Sequence, residues 1–143
     1  MASSAEKRGE MKTVCAAIIR ENGKILVSNR PDSKAAAGKW EFPGGKVEPG
    51  ESFGACIIRE MQEELALDVM SLDVIFDIIH HYPAGAIRLV FLRCIRKNSK
   101  EPVAKEGQEF RWIPLKAMRE LDFLEADKTL CELLIEAETG KTL

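Results

Sequence analysis

Short apolar segments that are typical of β-strands recur along the chain. Residues 13–20 (TVCAAIIR) are apolar and β-branched, and residues 24–30 (KILVSNR) continue in the same way after an ENG turn. Residues 72–82 and 86–96 form a second apolar pair around PAG, and residues 109–115 form a further short segment. The pattern therefore predicts two hairpins and one additional strand.

Two other segments follow helical spacing. In residues 52–65, Ile57 and Met61 recur on one face, and Ser52 has the side chain of a helix N-cap. Residues 124–138 repeat apolar positions in the same manner. Strands interleaved with two helices predict the α/β class, with a mixed β-sheet covered on both faces as an α/β/α sandwich.

Residues 31–50 separate the first strands from the first helix. They contain three prolines, four glycines and a run of three alanines, which predicts an irregular surface loop. Binding and catalytic residues often lie on such loops.

The length of 143 residues is suited to one domain with a sizeable core. We expect residues 1–11 to be a disordered N-terminal segment and residues 12–143 to form a single domain. No apolar run approaches the roughly 20 residues that span a bilayer. The first ten residues lack the apolar segment of a signal peptide, so we expect a cytoplasmic protein that does not bind membranes.

The formal net charge of −2 argues against a basic surface for nucleic-acid polymers, but it leaves a small nucleotide open as partner. The four cysteines lie far apart without a C-x-x-C pair, so we expect buried, reduced thiols. The sequence leaves both a monomer and a homodimer open.

The first predicted helix carries an unusual cluster of acidic side chains. Glu60 faces Glu63 and Glu64 across one turn, and the three carboxylates fall within an arc of about 100°. Like charges at this spacing destabilise a helix. The cluster is either a solvated face or a site where a hard cation such as Mg²⁺ binds oxygen ligands.

A longer motif distinguishes these interpretations. The segment GGKVEPGESFGACIIREMQEELAL resembles the Nudix box, G-x5-E-x7-R-E-U-x-E-E-x-G-U, where U is a bulky apolar residue. Eight of the nine constrained positions match, and chance agreement is on the order of 10⁻⁸ per starting position. The matching residues are Gly45, Glu51, Arg59, Glu60, Met61, Glu63, Glu64 and Leu67.

The remaining constrained position has Ala66 where the pattern has glycine. Glycine at the end of a helix permits a left-handed backbone, and alanine in that conformation costs about 1 kcal/mol. The substitution leaves the carboxylates of the motif unchanged.

Two further segments, KWEFPGGKVEPGE and AKEGQEFRWIPL, resemble the MutT-like branch, the nucleoside triphosphate pyrophosphohydrolases. This resemblance implies the Nudix-type α/β/α sandwich. It also implies hydrolysis of a nucleoside triphosphate to a monophosphate and pyrophosphate with Mg²⁺, or alternatively Mn²⁺, as cofactor.

The resemblance assigns the metal ligands. Glu60 and Glu64 would bind the cation directly, and Glu63 would bind it directly or through water. The backbone carbonyl of Gly44 joins them, and Glu106 approaches from a distant loop as ligand or general base.

Three basic residues also take roles from the resemblance. Arg59 would brace the catalytic glutamates with the help of Glu51. Arg30 and Lys46 match positions that contact phosphates.

For the base, the resemblance places Phe42 in the pocket, and Tyr82 contributes from the second hairpin. Asp127 aligns with the asparagine with which bacterial MutT proteins read 8-oxoguanine. An ionised carboxylate only accepts hydrogen bonds, so Asp127 would favour exposed amino groups. Its other interpretation is an N-cap for the last helix.

We expect oxidised purine nucleotides such as 8-oxo-dGTP as substrates, and the alternative is a CTP- or dCTP-type pyrimidine pyrophosphohydrolase. A dinucleotide polyphosphate or nucleotide-sugar hydrolase is a further alternative within enzymes. The alternative to an enzyme is a non-catalytic nucleotide-sensing module. Such modules usually lose the carboxylates of the Nudix box, and this chain keeps them.

Overall fold

The computed structural model describes residues 11–32 and 34–139. The predicted disordered segment, residues 1–11, lies outside the described residues except for Met11. Within the described part of the chain, seven strands form one sheet. The strands are β1 (Lys12–Glu21), β2 (Lys24–Asn29), β3 (Trp40–Glu41), β4 (Gly44–Lys46), β5 (Val69–Tyr82), β6 (Gly85–Arg96) and β7 (Phe110–Pro114).

The sheet is mixed, as the sequence predicts. Its main path runs in the order β3-β2-β1-β6-β5, while β4 pairs with β1 and β7 pairs with β2. Strands β1 and β6 run parallel from the Lys12–Ile87 pair to the Ile19–Cys94 pair, and the other described pairings are antiparallel.

Helices cover both faces of this sheet. They are α1 (Phe53–Leu65), α2 (Glu125–Thr139) and a 3₁₀ helix (Leu115–Glu120). Strand β1 shows the two-layer packing, because Ala16 and Ile18 contribute to a core cluster with α2 while Ala17 and Ile19 contribute to one with α1. The α/β/α sandwich is therefore confirmed.

Most predicted elements are confirmed with small shifts at their ends. Helix α1 begins after Ser52, whose hydroxyl accepts a hydrogen bond from the backbone N–H of Ala55 at 3.1 Å. Strand β5 begins at Val69, three residues before the predicted start. The last helix runs from Glu125, against a predicted start at 124.

The region 31–50 is less irregular than its composition predicts. Strands β3 and β4 lie inside it, although they have only two and three residues. Their hydrogen bonds to β2 and β1 define them. A segment of that length has no periodicity of its own, so only tertiary pairing reveals it.

The four cysteines are free and buried, which confirms the predicted reduced thiols. Among the described residues, no helix combines the length and apolar character needed to cross a bilayer.

Helix α1 ends in the left-handed conformation that the motif's glycine would favour. Ala66 has φ of 52° and ψ of 36°. Its N–H donates to the carbonyl of Gln62 at 3.2 Å, and the N–H of Leu67 donates to that of Met61 at 3.1 Å. The cap therefore forms with alanine, at the conformational cost that a residue with a Cβ atom bears there.

We predict that Ala66→Gly raises the free energy of unfolding by about 1 kcal/mol, because glycine adopts this conformation without the steric cost. Chemical denaturation measures the change. The matched control, Ala55→Gly on the exposed side of α1, should lower the same quantity by about 0.5–1 kcal/mol. Equal losses in both variants would contradict the strained cap.

Candidate active site

Two glycines let strand β4 pack closely against its neighbours, Gly45 against helix α1 and Gly44 against strand β1. A Cβ atom at Gly45 would overlap the carboxylate of Glu60, and one at Gly44 would overlap the backbone carbonyl of Cys15. In the sheet, Gly45 lies opposite Cys15 and Gly44 opposite Ala16. A larger side chain at either position would displace the carboxylate or the neighbouring strand.

The three predicted carboxylates of α1 share one side of the helix but differ in their surroundings. Glu64 is buried, with 6% of its surface exposed. The side chain of Glu60 is 14% exposed, and that of Glu63 is 52% exposed. After burial, the neighbouring Glu60 is the largest influence on the pKa of Glu64, which it raises. Glu60 and Glu64 form an inner pair, with Glu63 at the rim.

Arg59 connects these carboxylates to strand β4. It donates to both carboxylate oxygens of Glu51, at 2.7 and 2.9 Å, and to Glu60 at 2.9 Å. It also donates to Glu63 at 3.2 Å and to the backbone carbonyl of Lys46 at 3.1 Å. The hydrogen bonds from Arg59 lower the pKa of Glu51 to about 2. The contacts match the bracing geometry that the resemblance predicts, while the catalytic role stays a prediction.

Burial destabilises negative charge on the inner pair, so a bound proton or cation stabilises it. Burial raises the pKa of Glu64 to about 10, and the hydrogen bond and charge of Glu60 add to the shift. More distant charges on Glu106 and Glu41 act in the same direction. Without a cation, the Glu60–Glu64 pair therefore retains a proton at neutral pH.

The donor set fits a hard divalent cation. Such ions prefer carboxylate and carbonyl oxygens, and the inner pair supplies anionic oxygen in a buried position. In residues 11–32 and 34–139, no three acidic, histidine or cysteine side chains converge as a closed ligand set.

The loop that carries Glu106 is docked onto the end of α1. The N–H of Lys105 and the side-chain amide of Gln108 both donate to the backbone carbonyl of Glu64, at 3.1 and 3.2 Å. Gln108 also accepts from the N–H of Glu106 at 2.9 Å. The carboxylate of Glu106 forms an ion pair with Lys34 at 3.5 Å.

A cavity of about 210 Å³ adjoins the acidic face at the two glycines. Five predicted site residues line it, namely Arg30, Phe42, Gly44, Tyr82 and Asp127. The ring of Phe42 packs edge-on against Phe91 at 5.9 Å and tilted against Phe123 at 5.5 Å, so its position is fixed by the core. The structure thus brings the predicted base-pocket residues together beside the acidic face.

Asp127 is not an N-cap, so that interpretation is wrong. Helix α2 begins at Glu125, which makes Asp127 its third residue. Its carboxylate accepts a hydrogen bond from the backbone N–H of Phe42 at 3.2 Å. This contact joins residues that are 85 positions apart, and the residue type alone does not reveal it.

The surroundings of Asp127 favour the protonated carboxylic acid over the carboxylate that the sequence analysis assumed. Asp127 is 4% exposed, and burial, followed by the charge of Glu41, raises its pKa to about 8. The N–H of Phe42 and the charge of Arg30 oppose this shift but do not cancel it. At neutral pH the side chain is therefore mostly a carboxylic acid, which donates as well as accepts hydrogen bonds.

Lys46 is the predicted phosphate contact that the structure does not bring into this cavity. Its side chain is exposed and lines a separate shallow groove with residues 11–13 and 47–49. Lys46 contacts the acidic face through its backbone carbonyl, which accepts a hydrogen bond from Arg59. The assignment of Lys46 to the substrate stays a prediction.

Two charged residues in the cavity lining were missed in the sequence. Glu41 and Lys34 both line the cavity, and Glu41 forms an ion pair with Arg30 at 3.1 Å. Glu41 lies within the KWEFPGGK segment, between two aromatic residues and just before the glycines, which is a signal that was available. Lys34 lies in a loop whose composition gives no such signal.

Known proteins are similar to this chain in both sequence and fold. The model of the NUDIX domain matches residues 9–133. An 8-oxo-dGTP diphosphatase of Escherichia coli K12 is 33% identical over 116 residues, which cover 80% of this chain and 89% of that protein. A CTP pyrophosphohydrolase of the same strain is 51% identical over 59 residues, 41% of this chain and 44% of that protein.

A solved structure has the same fold as this chain. The solution structure of the E. coli ORF135 protein superimposes with a TM-score of 0.79 at 29% identity, covering 94% of this chain and 96% of that one. The family match extends over well more than half of the chain, and the box residues converge at one site. The chain belongs to the Nudix hydrolase family.

Proposed function

We propose that this protein hydrolyses a nucleoside triphosphate to the monophosphate and pyrophosphate, with an oxidised purine nucleotide such as 8-oxo-dGTP as substrate. The observation that carries the proposal is the buried Glu60–Glu64 pair beside a cavity that Asp127 lines. The 8-oxo-dGTP diphosphatase relative supports the same activity. A substrate from the nucleotide pool agrees with the cytoplasmic location that the sequence predicts.

The metal site follows from the donor set. Glu60, Glu64 and the carbonyl of Gly44 would hold Mg²⁺ or Mn²⁺, with Glu63 and Glu106 as further ligands. When bound, the cation neutralises phosphate oxygens and lowers the pKa of the attacking water.

The protein's own residues hold this arrangement in place. Arg59 fixes Glu60 against strand β4 and offsets the charge of Glu63. The loop hydrogen bonds at the Glu64 carbonyl keep Glu106 near the acidic face, where it acts as ligand or general base. Arg30 lines the cavity and is the proposed phosphate contact there.

In the same cavity, Phe42 and Tyr82 provide aromatic walls for a base. In the neutral form of Asp127, one carboxyl oxygen accepts the hydrogen bond from the Phe42 N–H. The other oxygen then donates a hydrogen bond to the base edge or accepts one from it. An 8-oxopurine offers both donors and acceptors. This chemistry supports an oxidised purine without requiring an amino group.

A cytidine nucleotide is the second candidate. The 51% identity with the CTP pyrophosphohydrolase over 59 residues favours it, and cytosine also presents an adjacent donor and acceptor.

A screen of nucleotides with separate detection of pyrophosphate, phosphate and monophosphate tests the proposal. We expect the highest kcat/KM for 8-oxo-dGTP, with pyrophosphate as product. The highest value for CTP would favour the second candidate. Cleavage of dinucleotide polyphosphates or nucleotide sugars alone would contradict both.

We predict that Glu64→Gln lowers kcat on the order of a thousandfold at saturating Mg²⁺, because it removes a charged cation ligand. The melting temperature without metal should not fall, since Glu64 is protonated in the metal-free protein and glutamine is a neutral side chain of nearly the same shape. Calorimetric titration with Mn²⁺ should show weaker binding than in the control Glu132→Gln. Turnover near the wild-type value would contradict this metal site.

We also predict that water attacks away from the α-phosphorus, as the resemblance to MutT-like enzymes implies. Turnover in ¹⁸O-labelled water, followed by mass spectrometry, should place the label in pyrophosphate. Label in the monophosphate would mean that the triphosphate lies differently against Glu106 and helix α1.

Asp127 gives a prediction for pH. Asp127 carries a proton below its pKa of about 8 and loses it above that value. The wild-type ratio of kcat/KM for 8-oxo-dGTP over dGTP should therefore change between about pH 7 and about pH 9, as the donor disappears. Asp127→Asn keeps its donor and should show a flatter ratio. The same pH dependence in both proteins would show that the base is read elsewhere.

A further inference from the structure

Arg30 enters the cavity with most of its guanidinium group already held. Nε donates to the backbone carbonyl of Ala35 at 2.6 Å, and Nη1 donates to the carboxylate of Glu41 at 3.1 Å. Among the described residues, no acceptor is in place for Nη2. Because a guanidinium is planar, holding two of its nitrogens fixes the direction of the third.

Glu41 is well suited to hold Arg30, because its backbone is fixed on both sides. It lies in β3, opposite Ser28 of β2. Trp40 and Phe42, its neighbours in the chain, are buried in the core. The N–H of Trp40 donates to the carbonyl of Asp122 at 2.9 Å, which ties this strand to the segment before α2.

Arg30 and Glu41 each compensate the other's charge in a partly buried position. The side chains of Arg30 and Glu41 are only 24% and 20% exposed, so both charges are partly removed from water. Burial raises the pKa of Glu41, and the charge and hydrogen bond of Arg30 oppose that shift. Without Arg30, the carboxylate would lie poorly compensated in a cavity that also contains Asp127.

We propose that Glu41 is a positioning residue that, together with the carbonyl of Ala35, holds the Arg30 guanidinium in the orientation that binds the substrate phosphates. This inference rests on the proposed nucleoside triphosphate substrate. Glu41 acts through Arg30 and contacts no reacting atom. A pre-oriented guanidinium loses less conformational freedom when a phosphate binds, so the contribution falls on binding rather than on the chemical step.

The alternative is that Glu41 contacts the sugar or base directly. The two accounts differ in their dependence on Arg30. If Glu41 acts through Arg30, its removal has no effect once Arg30 is absent. A direct contact to the sugar or base retains its effect in that background.

The test is a double-mutant cycle with Glu41→Ala, Arg30→Ala and the double variant, measured as KM and kcat for 8-oxo-dGTP. We expect Glu41→Ala to raise KM about tenfold, with kcat within about twofold of the wild type. The same substitution in Arg30→Ala should change KM by less than about twofold. Independent, multiplicative effects would overturn the proposal, as would a lower KM in Glu41→Ala.

A conservative variant separates orientation from net charge and from folding. Glu41→Gln keeps an oxygen that accepts from Nη1, so it should restore KM to within about twofold of the wild type. A KM as high as that of Glu41→Ala would show that charge, and not orientation, matters. The matched control is Glu132→Ala, which breaks a comparable ion pair with Arg119 away from the cavity and should leave KM unchanged.

Inorganic triphosphate provides a probe without base or sugar. Calorimetric titration in the presence of Mg²⁺ should show about tenfold weaker binding to Glu41→Ala than to the wild type, since only phosphates are present. Equal binding would overturn the role of Glu41. If the wild type binds triphosphate with this dependence but hydrolyses no nucleotide, the proposed function fails while the positioning role stands.

Discussion

The hydrogen bonds of Arg59 are the interaction on which the site depends. One guanidinium binds both oxygens of Glu51, reaches Glu60 and Glu63, and donates to the backbone of strand β4. Carboxylates one helical turn apart repel each other, and this cation within the motif offsets that repulsion. It also ties α1 to strand β4, where Gly45 leaves room for the Glu60 carboxylate. Close packing and charge compensation are therefore achieved by the same contacts.

Arg59 does not compensate the innermost carboxylate. Glu64 lies buried against Glu60, and the loop that carries Glu106 is fixed to its backbone carbonyl. A divalent cation that also binds the substrate triphosphate would neutralise the Glu60–Glu64 pair. The adjoining cavity is lined both by Arg30, the proposed phosphate contact, and by Asp127, the proposed base contact.

The sequence predicted the elements whose signals are local. Helix α1 with its Ser52 cap, the hairpin of β5 and β6, and the mixed sheet all follow from periodicity and turn residues. The Ala66 position was also predictable, because a motif glycine marks a left-handed helix end. Strands β3 and β4 were missed, since their pairing partners define them.

The chemistry of individual side chains was less predictable. The N-cap interpretation of Asp127 failed because its partner, the N–H of Phe42, lies 85 residues away in the chain. Its ionisation depends on burial and on the nearby charge of Glu41, and neither is visible in a residue type. The role of Glu41 was missed for the same reason, because its ion pair with Arg30 exists only in the folded cavity.

We propose that the acidic face of α1 binds the catalytic cation beside the nucleotide cavity. The most direct measurement is a crystal structure with Mn²⁺ and a non-hydrolysable nucleoside triphosphate analogue, with manganese located by anomalous scattering. We expect manganese coordinated by Glu60 and Glu64, with the base of the analogue against Phe42 and Asp127. Manganese bound elsewhere on the protein, with Glu60 and Glu64 not coordinating it, would show that this face is not the metal site.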